Sequence, residues 1–91
     1  MLFMVVETFC DDRKAAMSQR FQTLGRLLPD KVEYVASWMC TDGNQCFQIM
    51  EAPSRDLLDL WISRWSDLVD FDVTEVKTSQ DYWNEQSSGK D

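Results

Sequence analysis

Apolar residues along this chain fall into short runs separated by longer stretches spaced at three and four residues, and the two kinds alternate. Met1 to Thr8 is apolar almost throughout, as in a strand covered on both faces, and lacks the alternation that would assign its side chains to one face. Met17, Phe21, Leu24 and Leu28 recur at helical spacing and predict an amphipathic helix over roughly Asp12 to Leu28. Asp11 or Asp12 is its expected N-cap and Pro29 its expected stop, while Gly25 within it suggests a close approach to a sheet.

The stretch from Tyr34 to Glu51 holds two β-prone runs flanking Asp42-Gly43, a dipeptide suited to a two-residue type I′ turn. That turn sets Thr41 opposite Asn44, Met39 opposite Cys46, Trp38 opposite Phe47, Ser37 opposite Gln48, Ala36 opposite Ile49 and Val35 opposite Met50. Both faces of the resulting hairpin carry apolar groups. Pro53-Ser54 leads into a second helix, with Ser54 as N-cap and Asp56 near the positive helix end. Its apolar stripe is Leu57, Trp61, Trp65 and Leu68, widened by Leu58 and Ile62. Val69 to Lys77 alternates like a half-buried strand. Ser79 is the expected cap of a short docked helix carrying Tyr82 and Trp83, and residues 87–91 read as a disordered tail behind a single domain of residues 1–86.

The order of elements is βαββαβ, the α+β arrangement of ferredoxin-like domains. Right-handed crossovers place the third strand between the first and second and the fourth beyond the first, giving a four-stranded antiparallel sheet with both helices on one face. Trp38, Phe47, Ala36 and Ile49 are expected beneath the helices because they form the more uniformly apolar set. Val35, Ser37, Met39, Cys46, Gln48 and Met50 would then lie on the open face. An apolar patch of that extent predicts a partner surface, and two such sheets facing each other would form a homodimeric α+β barrel. Ser37 and Gln48, side by side among Val35, Met39, Cys46 and Met50, are the candidate ligand-binding residues of the enclosed space. They are equally suited to bonding each other or the partner subunit.

Charge and residue usage narrow the functional classes. Sixteen acidic residues against nine basic give a net charge of −7 over 91 residues, with no basic cluster, which argues against nucleic acid and against an anionic membrane surface. No stretch has the form of a signal peptide or a membrane span. Three cysteines without CxxC spacing, two of them on opposite hairpin faces, point to free thiols in a reducing cytoplasm. Histidine is absent, which removes the commonest base near neutral pH and the commonest metal ligand. Neither a P-loop, a GxGxxG nor a DxDxDG pattern occurs, so no cofactor and no metal is expected. Glu7 and Glu51 lie near strand ends and become acid/base candidates if buried. Cys46 is a redox candidate if its pKa is lowered and it is exposed. Trp38, Trp61 and Trp65 are suited either to the core or to an aromatic pocket.

MLFMVVETF, GRLLPD (Gly25 to Asp30), ASWMCTDGNQCFQIMEAP (Ala36 to Pro53), LVDFDVTEV (Leu68 to Val76) and TSQDYW (Thr78 to Trp83) together resemble the bacterial family known as domain of unknown function 3303, from Met1 to about Trp83. Such proteins resemble the dimeric α+β barrel superfamily, which includes cofactor-independent monooxygenases and muconolactone isomerase-like proteins. The resemblance implies the fold and the dimer, and it brings no catalytic residue.

Three readings follow. The first is a cytoplasmic homodimer binding a small apolar or aromatic molecule between its sheets. The second is an interaction or assembly module without a ligand. The third, implied by the superfamily, is a cofactor-independent monooxygenase- or isomerase-like enzyme; the lack of a recognisable catalytic motif weighs against it.

Overall fold

Strand β1 spans Leu2–Phe9, β2 Glu33–Met39, β3 Gln45–Glu51 and β4 Val69–Val76; helix α1 spans Lys14–Leu24, α2 Arg55–Ser63 and α3 Ser79–Ser88, in a computed structural model that describes residues 1–88. The sheet is antiparallel with strand order β2-β3-β1-β4, as the crossover argument expects.

The hairpin register from Met39 opposite Cys46 to Ala36 opposite Ile49 matches the expected one, although the turn differs. Cys40 N–H donates to the Gln45 carbonyl, so the connection is a four-residue loop, with Gly43 N–H donating to the Cys40 carbonyl and Asn44 N–H to the Asp42 carboxylate. Gly43 has φ +77° while Asp42 stays at negative φ, and a type I′ turn requires positive φ at both. The register survives because opening a two-residue turn by one pair on each side leaves every other pair in place. At the far end a bulge shifts the pairing, so Tyr34, and not Val35, sits opposite Met50.

Helix α2 follows its sequence pattern as far as Ser63, with Trp65 and Leu68 of the expected stripe falling in the turns beyond it. The Ser54 hydroxyl accepts from Leu57 N–H at 3.2 Å, and Leu58, Trp61 and Trp65 pack with Phe3, Val5 and Met50 in the core. Helix α1 departs from its pattern. It begins after a 3-10 turn at Asp11–Arg13, has no side-chain N-cap, and ends four residues before the expected Leu28 because Gly25 takes φ +69°. A Cβ on Gly25 would meet nothing within 4 Å, so this glycine serves helix termination and not a close approach to the sheet. No residue of α1 is buried: Phe21 is 41% and Leu24 57% exposed, and only Met17 packs partly against the core.

The two sheet faces are reversed from the expectation. Phe3 and Val5 contact the helices, and β1 pairs Phe3 with Met50, Val5 with Gln48 and Glu7 with Cys46, which turns Met50, Gln48, Cys46, Ser37 and Met39 toward the helices. Trp38, at 60% exposure, and Phe47, at 36%, lie on the open face with Ala36 and Ile49. The cause is the alternation of β4. Its apolar positions Val69, Phe71 and Val73 pair with Phe9, Glu7 and Val5, and this register decides the face for the whole sheet.

Thr78, not Ser79, caps α3 by accepting from Asp81 N–H at 3.0 Å. The helix is not docked: Tyr82 and Trp83 are 45% and 64% exposed. Ser87 and Ser88 continue α3, and residues 89–91 of the expected tail lie outside the described residues. Among the described residues, no helix is long and apolar enough to cross a membrane.

Candidate functional site

Because α1 stands off the sheet, a cavity of about 220 Å³ remains between it, α2 and the helix-facing side of the strands. Its sheet side is polar at the centre. Glu7 projects from β1, Cys46 and Gln48 from β3 and Ser37 from β2, with Met39 at the edge. Phe9, Val69, Met17, Phe21, Trp61 and Trp65 supply apolar walls, and Arg26 enters from the segment after α1.

Several bonds place Arg26. Trp61 and Trp65, one turn apart, both donate their indole N–H to its carbonyl, at 3.0 and 2.9 Å. Arg64 donates to the carbonyl of Leu27, which itself lies at φ +58°. Gly25 and Leu27 thus bracket Arg26 with left-handed backbone and turn its side chain inward. The guanidinium lies 3.7 Å from the Tyr34 ring centroid and 5.3 Å from that of Phe21. No oxygen among the described residues accepts a hydrogen bond from it, and it forms no ion pair with Glu7. The Tyr34 hydroxyl is bonded to that of Ser37 at 2.7 Å.

Glu7 is the electrostatically distinctive group. Loss of hydration pushes its pKa up to about 7, against the smaller opposing effects of hydrogen bonds from Cys46 and Gln48 and the positive charge of Arg26. The Cys46 thiol is pushed up to about 11 by burial and then by the neighbouring Glu7 charge. Cys46 is also buried, so it is a neutral hydrogen-bond donor and not the redox-sensitive thiol considered from the sequence. All three cysteines are free.

Of the sequence candidates, Ser37, Gln48, Cys46 and Met39 meet in the cavity, inside one protomer and not on the open face where they were expected. Met50 is fully buried in the adjoining core, and Val35 is 51% exposed at the bulge, so neither lines the cavity. Glu7 lies in the cavity and Glu51 outside it; Trp61 and Trp65 line it, whereas Trp38 is on the other side of the sheet. Arg26 was not singled out by its sequence. Only Gly25 beside it stood out.

A βαββαβ chain whose antiparallel sheet carries helices on one face and a polar-centred cavity beneath them defines a small α+β protein of ferredoxin-like order. The chain belongs to the family described as a domain of unknown function, DUF3303, whose model matches residues 1–86. No curated protein matches it.

Proposed function

We propose that this protein is a homodimer, paired through its open sheet face, in which each protomer binds a small apolar or aromatic molecule in the cavity beneath α1. The observation that carries the binding reading is the convergence of Glu7, Arg26, Ser37 and Gln48 on an otherwise apolar space. Ligand sites are built this way, with apolar walls for affinity and a few polar groups for orientation. The volume of about 220 Å³ lies below the roughly 300 Å³ at which drug-sized pockets begin, so the occupant is a compound of about one ring. Three free cysteines support a reducing, cytoplasmic setting.

A panel of one-ring aromatic and alicyclic compounds with a single carbonyl, hydroxyl or carboxyl group tests this by two-dimensional amide NMR. The expected result is saturable shifts confined to Glu7, Arg26, Ser37, Cys46, Gln48 and their neighbours, weakened about tenfold or more in Gln48→Leu. Shifts from none of the panel would overturn the ligand reading and leave the interaction module in its place.

A further inference from the structure

We propose that the cavity catalyses proton transfer at carbon, with Glu7 removing a proton from the carbon next to the carbonyl of a one-ring ketone and Arg26 holding the oxygen of the resulting enolate. The proposal rests on the ligand-binding reading above and adds a reaction to it.

The geometry supplies the two groups that enolisation needs and keeps them apart. Glu7 is anchored on β1, one of the two inner strands of the sheet, and Cys46 and Gln48 of the neighbouring β3 flank its carboxyl group. Arg26 approaches from the other wall, with aromatic rings against its guanidinium and no acceptor for its side-chain N–H groups among the described residues. A cation and a carboxylate lining one small cavity without pairing leave room between them for a polar group of a ligand. The apolar rings of Phe9, Phe21, Trp61 and Trp65 suit the remainder of a ring.

In the reaction the C–H electron pair moves into the new carbon–carbon double bond, the carbonyl π pair moves to oxygen, and the proton passes to the Glu7 carboxylate. Arg26 N–H groups stabilise the oxyanion. Return of the proton from Glu7, to the same carbon or to the far end of a conjugated system, restores the carboxylate and completes an exchange or an isomerisation. No oxidant, metal or cofactor takes part. A base of this kind works best when its pKa lies near the working pH, and burial moves Glu7 to about 7. The charged or titratable groups lining the cavity with it are Arg26, after α1, and Cys46, on β3; β4 places Phe71 opposite Glu7, and α2 and the turn after it contribute Trp61 and Trp65.

The test uses the whole protein and 3-cyclohexenone as probe. Binding is followed by amide NMR, and deuterium uptake and conversion to 2-cyclohexenone are followed in D2O. The expected result is exchange well above the buffer rate, rising with pH through about 7 as Glu7 ionises. Glu7→Gln should bind the probe with its amide spectrum otherwise unchanged and lose about a hundredfold or more of the rate. Arg26→Gln should slow exchange and move the pH profile upward, because the Arg26 charge that holds the Glu7 pKa down is gone. Probe binding without exchange in the wild type, or exchange undiminished in Glu7→Gln, would overturn the proposal and leave the binding reading standing. Absence of probe binding would overturn this substrate class, and only silence across the whole compound panel overturns the binding reading.

Discussion

Glu7 brings a carboxyl group into an apolar cavity, where the folded protein holds a proton more tightly than the unfolded chain does. Between pH 4.5, the ordinary value, and about 7 the folded state binds the extra proton. Stability therefore falls as pH rises across that window and levels off above it, the reverse of the behaviour of a salt-bridged carboxylate. At about 1.4 kcal/mol per pKa unit the ceiling is roughly 3 kcal/mol, and residual contact with water reduces it. Urea denaturation of Glu7→Gln against wild type from pH 4 to 8 should show the variant gaining relative stability as pH rises; parallel curves would mean that Glu7 is solvated. Glu7 was legible in the sequence as an acid/base group conditional on burial. Arg26 was not, because its position depends on the backbone at Gly25 and Leu27 and on two indole donors that lie 35 and 39 residues away along the chain.

Helix α1 and the segment after it combine few apolar contacts with an unusual backbone. Gly25 lies at φ +69° and ψ −154°, a conformation essentially confined to glycine. Gly25→Ala should cost about 1–3 kcal/mol and shift the Arg26 resonances, although its Cβ would touch nothing. Exposed Lys31, at φ +70°, offers the opposite change: Lys31→Gly should stabilise by up to about 1 kcal/mol, less the entropy that glycine loses. Thermal unfolding of the two variants checks both signs. The pattern of elements reveals α2 because Leu58 and Trp61 are both helically spaced and buried, and it overextends the helix because the buried Trp65 keeps that spacing in the turn beyond. It misleads for α1, whose stripe of Met17, Phe21 and Leu24 faces a cavity and solvent. The hairpin register was legible from its own turn, yet the choice of face was not. That choice depends on how β1 registers against β4, two strands with no connecting turn and, in β1, no alternation.

At the scale of the whole molecule, the reversal of faces separates the two proposed functions. Leu2, Met4, Val6, Ala36, Trp38, Phe47 and Ile49 occupy the open face, while the cavity lies on the other side of the sheet. Burial of a few hundred Å² of that face in a dimer would contribute several kcal/mol at about 25 cal/mol per Å². The double variant Trp38→Asp with Phe47→Asp should sediment as a monomer and still bind cavity ligands. Wild-type protein that is monomeric at tens of micromolar would refute the pairing.

Polar links hold α1 in place. Arg20 binds the Asp67 carboxylate through two bonds of 2.8 Å and also donates to the Arg64 carbonyl, while Arg13 donates to the Asp67 carbonyl. The Asp67 side chain is exposed, so these contacts weaken as added salt screens them, whereas the packing of α2 on the sheet does not. Amide hydrogen exchange should therefore be faster along α1 than along α2 and accelerate there between low and 0.5 M salt, with α2 unaffected. The timing of passage into and out of the cavity would then follow the ionic strength around the protein: a molecule held beneath α1 should leave sooner in strong salt, even where its own contacts with the cavity are entirely apolar.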